Sequence, residues 1–154
     1  MADYIKELRA LVGHRSLILN TSAGALLNDK QELLLQERTG NDDWCFPGGF
    51  MEFGETLFET CKREFKEDSG VEIEPVTLLK TFDTDIYTYP NGDQTQLITN
   101  LFLVKKVSGH LLDHRTEETS DLRYFALDNL PHFFNEQSEK MVQAVIDYVE
   151  KNSK

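Results

Sequence analysis

The stretch GFMEFGETLFETCKREFKEDSGV, residues 49–71, decides how this chain is read. Thr56 followed three residues later by Glu59 is a capping box, which satisfies the exposed amides at a helix start. Gly70 is a fitting residue to end that helix, since glycine adopts the left-handed conformation of a C-terminal cap. Between them Leu57, Phe58, Cys61 and Phe65 supply a stripe that faces the core. With Glu64 at zero and about 100° per residue, Glu67 falls near −60° and Asp68 near +40°. Three carboxylates then share an arc of about 100° beside the apolar stripe. Acidic runs on a helix are usually a solvated face. At a partly buried edge, however, clustered carboxylates repel one another and resist desolvation unless something positive binds there. Hard oxygen donors of this kind suit magnesium (Mg2+) and also manganese (Mn2+). Arg63, one residue before Glu64, could clamp a carboxylate or hold a phosphate.

The overall charge sharpens the point. With 16 basic and 27 acidic residues the net charge is −11, which speaks against a binder of the nucleic-acid backbone. Two unit charges about 5 Å apart repel by roughly 3 kcal/mol at an effective dielectric near 20. An anionic substrate could therefore sit beside these acids only with cations between them, so a divalent metal is expected.

Working outward, 154 residues suffice for one domain with one core, and residues 1–154 are read as a single unit. Residues 40% hydrophobic and 28% charged suit a globular protein. No apolar run approaches the roughly 18 to 20 residues of a membrane span, and no secretory signal is expected. Two cysteines, Cys45 and Cys61, make neither a disulfide framework nor a metal-ligand set, so a reducing cytoplasm is the expected compartment. The four histidines, His14, His110, His114 and His132, show no zinc spacing.

Ile5, Leu8, Leu11 and Val12 recur at helical spacing after Asp3, a plausible N-cap. Ser16–Leu27 reads as a strand, Asn28-Asp29-Lys30 as a hairpin turn, and Glu32–Glu37 as a buried return strand. A polar loop from Arg38 to Asp43 follows, then Trp44-Cys45-Phe46-Pro47-Gly48-Gly49, whose glycines read as a flexible turn where backbone can approach a ligand or metal. Further strands are expected over Thr77–Asp83, Thr95–Val107, Leu122–Ala126 and in Ile86–Tyr89, before the turn Pro90-Asn91-Gly92-Asp93. Ser138–Glu150, with Met141, Val142, Val145, Ile146 and Val149 on one face, is a closing helix. Hairpin-connected strands with three helices suggest a mixed sheet sandwiched between helices.

Gly49, five residues, Glu55, seven residues, then Arg63-Glu64-Phe65-Lys66-Glu67-Asp68-Ser69-Gly70-Val71 resembles the signature box of the Nudix hydrolases. Every fixed position agrees except Asp68, where that family usually carries Glu. The surroundings Leu33–Arg38, Trp44–Gly49 and Leu122–Pro131 resemble the family as well. The resemblance implies an α/β fold, an α/β/α sandwich whose box forms a catalytic loop–helix–loop. It implies Mg2+-dependent hydrolysis of a diphosphate linkage in a nucleoside diphosphate derivative. Glu64, Glu67 and Asp68 would hold metal, helped by a backbone carbonyl near Gly48, and Arg63 would orient Glu55. The base would be either Glu64 or an acid on a loop outside the box, for which Glu117 and Glu118 are placed; Glu118 is the candidate for both catalysis and metal. The shorter Asp68 implies weaker or water-mediated coordination.

The box reports the reaction and not the leaving group. Specificity is expected from Arg38, Trp44, Phe46, the Phe82–Tyr89 region including Tyr87, and the Pro90–Asp93 turn. Trp44 or Phe46 could stack on a base, and Phe46 could equally belong to the core. A MutT-like nucleoside triphosphate pyrophosphatase leads; dinucleoside polyphosphates, ADP-ribose and other nucleotide sugars follow. A non-catalytic nucleotide-sensing module of the same fold is the alternative from another class. The expected partner is a small-molecule nucleotide, with no nucleic acid and no membrane, and a homodimer is open because relatives are often dimers.

Overall fold

The run Leu33-Leu34-Leu35 sets out the layers. All three side chains are fully buried, Leu33 and Leu35 in one cluster and Leu34 in another. Successive strand residues point to opposite faces, so this strand is covered on both sides. The computed structural model describes residues 3–38 and 42–153. These form helix α1 (Asp3–Val12), strands β1 (Leu17–Leu26), β2 (Glu32–Glu37), β3 (Trp44–Cys45) and β4 (Gly48–Phe50), and helix α2 (Leu57–Ser69). Strands β5 (Val71–Thr88), β6 (Gln94–Gly109) and β7 (Asp121–Ala126) and helix α3 (Glu136–Asn152) complete the order.

The strands make a four-stranded sheet, β4-β1-β6-β5, and a three-stranded sheet, β3-β2-β7. β1 and β6 run parallel; the other pairs are antiparallel. The fold is therefore α/β with mixed pairing. On one side Cys61 and Phe65 of α2 pack with Leu26, Leu34, Val71, Ile73, Phe102 and Val104. On the other, Met141, Val142 and Val145 of α3 pack with Ala23, Ala25, Leu33, Leu35 and Leu101.

Several expectations need correcting. The Asn28 turn forms, with Gln31 N–H donating to the Asn28 carbonyl at 2.9 Å and Asn28 Oδ1 accepting from Lys30 and Glu32. It does not close a hairpin ladder. Beyond the Leu27–Leu33 bridge β1 and β2 part into different sheets, because β1 already has β4 and β6 on its two edges. β5 is one strand where two were expected; four register shifts against β6 hide its alternation. Pro75 is tolerated there because β5 is an edge strand. Gly48 and Gly49 are strand residues of β4, not a flexible turn. In α1, Leu11 is 85% exposed, and Ile5 is the residue buried against Leu19. Of the predicted polar loop, residues 39–41 lie outside the described residues.

α2 has the predicted capping box, with Thr56 and Glu59 exchanging both bonds, and Gly70 caps its end at φ 81°. Phe58 does not belong to its core face: it is half exposed, its ring edge-on to Phe102 at 5.0 Å. The buried face continues instead through Thr60, Glu64 and Asp68, at i, i+4 and i+8 beside Cys61 and Phe65.

Candidate functional site

The packing just described presses two acids inward. Glu64 is 4% and Asp68 2% exposed. Glu118, from the stretch between β6 and β7, brings a third carboxylate, and one oxygen of each lies within 4.8 Å of the others. Glu67 is not in this group. It is exposed, with one oxygen 3.5 Å from Arg63 Nη1. Glu117 is exposed as well.

Arg63 organises the near side. Its Nε and Nη2 donate to the two Glu55 oxygens at 2.7 and 2.9 Å, and Nη1 donates to Glu64 at 2.8 Å. Nη2 also reaches the Phe50 carbonyl at 2.9 Å, tying the arrangement to β4. The Arg63 bonds hold the Glu55 carboxyl below the usual range. Burial raises the Glu64 pKa, against the pull of Arg63. Burial likewise pushes Asp68 up to about 7, although Gly48 N–H and Gln36 Nε2 both donate to its Oδ2, at 3.0 and 2.9 Å.

The glycines before the helix are needed for close approach. A Cβ on Gly49 would stand 2.5 Å from Glu64 Cδ, in the space the carboxylate occupies, and one on Gly48 would strike the Ser22 carbonyl of β1.

Glu64 and Glu118 open into a cavity of about 470 Å3 that Gly48, Gly49, Arg38, Phe46, Tyr87 and Phe134 help to line, with Asp68 buried behind them. Tyr87 and Tyr89 meet edge to face at 4.7 Å, and Phe134 lies 5.4 Å from Tyr87. Arg38 is the one basic side chain among the described lining residues, with its guanidinium 5.9 Å from the Phe134 ring centroid. Burial works against its charge, but Cys45, Asp68 and Glu118 outweigh that and hold it above the usual value. The Ser22 hydroxyl at this wall is buried and has no hydrogen-bond partner among the described residues.

Two expected specificity elements are elsewhere. Trp44 is 2% exposed and packs edge-on against Phe125 at 4.8 Å, with its Nε1 donating to Asp42, so it offers no face for stacking. The Pro90–Asp93 turn is tied by Asp93 to His14 and Arg9 of the α1 end, away from the cavity lining. Phe46 holds both expected places at once, in the core cluster and at the cavity wall. Sequence reasoning missed Gln36, Thr119 and Phe134. Gln36 carried a signal: a polar residue ending the apolar run Leu33-Leu34-Leu35 inside a strand read as buried.

The donor set suits a hard divalent cation. Three carboxylates converge, two of them buried, and a buried like-charge cluster is costly without a cation among them. Glu64, Asp68 and Glu118 could hold it.

The family model for the NUDIX domain matches residues 19–145, and the chain belongs to that family. It is 31% identical over 111 residues to an ADP-ribose pyrophosphatase of Methanocaldococcus jannaschii, covering 70% of this chain and 62% of that protein. It is 48% identical over 56 residues to the 8-oxo-dGDP phosphatase of Mus musculus, covering 34% of this chain and 17% of that protein. The chain thus spans less than two thirds of either relative. Among solved structures, a MutT NUDIX hydrolase from Burkholderia pseudomallei matches at TM-score 0.69 and 24% identity, over 83% of this chain and 98% of that one. A UDP-X diphosphatase matches at TM-score 0.68 and 23% identity, over 94% of this chain and 70% of that one. Among the described residues no helix is long and apolar enough to cross a membrane.

Proposed function

We propose that this protein hydrolyses the diphosphate linkage of a nucleoside diphosphate derivative and depends on a divalent cation, magnesium or manganese. The observation that carries the reading is the convergence of Glu64, Asp68 and Glu118, two of which, Glu64 and Glu118, line an aromatic-walled cavity. When bound, the cation draws charge from the phosphoryl oxygens and acidifies water. The chain's own residues do the rest. Glu64, with its pKa raised by burial, accepts the proton of the attacking water. Arg63 keeps Glu64 aimed and is itself fixed by Glu55. Arg38 offsets phosphate charge, and Phe46, Tyr87 and Phe134 shelter the organic part of the substrate from water.

A nucleoside triphosphate, released as the monophosphate and pyrophosphate, is the leading substrate. A second reading, ADP-ribose, is favoured by the name of the M. jannaschii relative. Two free, buried cysteines support a reducing, cytoplasmic setting. The test is chromatographic identification of the nucleotide and sugar-phosphate products formed from a panel of nucleoside triphosphates, dinucleoside polyphosphates, ADP-ribose and nucleotide sugars. It is run with magnesium and with EDTA. Turnover that needs the metal and is lost in Glu118→Gln is the expected result. Metal-independent turnover, or none across the panel, refutes the reading, and tight nucleotide binding without turnover would instead indicate a sensing module.

A further inference from the structure

Asp68 stands where the family's box usually has the longer Glu, and two polar side chains from outside the box close on it. Gln36 of β2 is 1% exposed and Thr119 is 2% exposed. Gln36 Nε2 lies 2.9 Å from Asp68 Oδ2 and 3.4 Å from the Phe46 carbonyl, while its Oε1 accepts from Thr119 Oγ1 at 2.8 Å. The amide can face only this way. Reversed, it would set an oxygen against the Asp68 carboxylate and the Phe46 carbonyl, neither of which can donate to it. The Thr119 hydroxyl also lies 3.1 Å from the Asp68 carbonyl, so its single proton serves the helix end and the amide together.

Thr119 follows Glu118 directly. Thr116 Oγ1 accepts from the Glu118 and Thr119 amides, at 3.3 and 3.0 Å, and Ser120 N–H donates to the Glu37 carbonyl at 2.9 Å. The backbone on both sides of Glu118 is therefore anchored, and the anchor leads through Gln36 to Asp68. Gly48 N–H and Gln36 Nε2 both donate to Asp68 Oδ2, fixing the plane of this carboxylate.

We propose that Gln36 and Thr119 are positioning residues that lock Asp68 and the Glu118 loop into one cation-binding unit. This rests on the metal-dependent reading above. The clamp takes up the reach lost with the missing methylene at position 68. Partners that orient ligands in this way typically change metal affinity on the order of 10- to 100-fold when removed.

The test is Mn2+ binding to the protein without substrate, followed by the electron paramagnetic resonance signal of the free ion. Thr119→Val, which keeps the shape and removes the hydroxyl, is expected to weaken binding about tenfold, and Thr119→Ser to restore it. Gln36→Met, which keeps the volume and removes both amide groups, should weaken binding by the same order. Circular dichroism confirms that each variant is folded. At saturating metal, kcat should stay closer to wild type than the metal concentration at half-saturation does. If Thr119→Val and Gln36→Met bind Mn2+ as wild type does and lose only thermal stability, the clamp is merely structural and the proposal is overturned. Failure of both to fold overturns it too. Intact Mn2+ binding with the expected losses, but no hydrolysis by wild type, would sink the hydrolase reading and leave the clamp standing. A wild type that binds no Mn2+ would end both.

Discussion

Helices α2 and α3 cover opposite faces of the same strands, yet they bury different chemistry. α3 presents Met141, Val142 and Val145 to its cluster and keeps its acids outside. α2 presents Cys61 and Phe65 and, one position round, Thr60, Glu64 and Asp68. The first helix is held mainly by apolar area, with Gln137 and Ser138 as its buried polar residues and Thr99 Oγ1 donating to Gln137 Oε1 at 3.0 Å. The second is held the same way, but its packing also carries two carboxylates into a place where water cannot solvate them fully. The Glu64 and Asp68 pKa values are raised there because burial disfavours their charge. An element whose own stability is lowered in this way is what a cation site needs: the metal recovers free energy that the fold alone does not supply.

The contrast can be broken most sharply at Glu64. Glu64→Gln should lower kcat by about 10²- to 10⁴-fold, the usual scale for a lost proton acceptor. It should leave the metal-free thermal midpoint unchanged or higher, since a buried charge is removed. A metal-free midpoint that falls steeply would mean the acid is structural, and the two helices would then be alike.

Phe65→Ala and Val145→Ala probe the apolar half of each helix. The first should cost about 3–5 kcal/mol and the second on the order of 2 kcal/mol, read from urea denaturation. The comparison predicts a difference beyond stability. In Phe65→Ala the affinity for Mn2+ should fall as well, because Phe65 adjoins Glu64 on the buried face of α2 and seats that face on the sheet; in Val145→Ala it should not. Equal metal affinity in both would separate the core of α2 from its acids.

The smallest effect is expected at the helix start. Thr56→Ala removes the cap and should cost about 1 kcal/mol, with little change in kcat, because Arg63 and Glu55 remain joined by two direct hydrogen bonds. A large loss of turnover would show that the loop before α2 depends on the cap for its geometry.

Much of α2 was legible from residue types and spacing. A capping box, a terminal glycine and a helical stripe are local devices, and the structure has them where the residues put them. Cys61 and Phe65 of the stripe face the core as read, but Phe58 faces out and Thr60 faces in. β1 and β2 were placed within a residue or so, but their separation into two sheets was not foreseen, since pairing partners are set by distant strands.

The candidate site divides along the same line. Local spacing put Glu64 and Asp68 on one side of a helix, and the family resemblance put Arg63 beside Glu55. By itself the sequence determined these, because each depends on contacts within one helix and the turn before it. Only the tertiary structure decided which acids meet. A helical wheel gives angles about one axis and not the direction from which the sheet arrives, so Glu67 is left outside and Glu118 enters from 50 residues past Asp68. The burial of Trp44, the grip of Gln36 and Thr119, and the aromatic wall of Tyr87 and Phe134 were decided in the same way. They depend on which segments the core pulls together, and that is a property of the whole chain's packing.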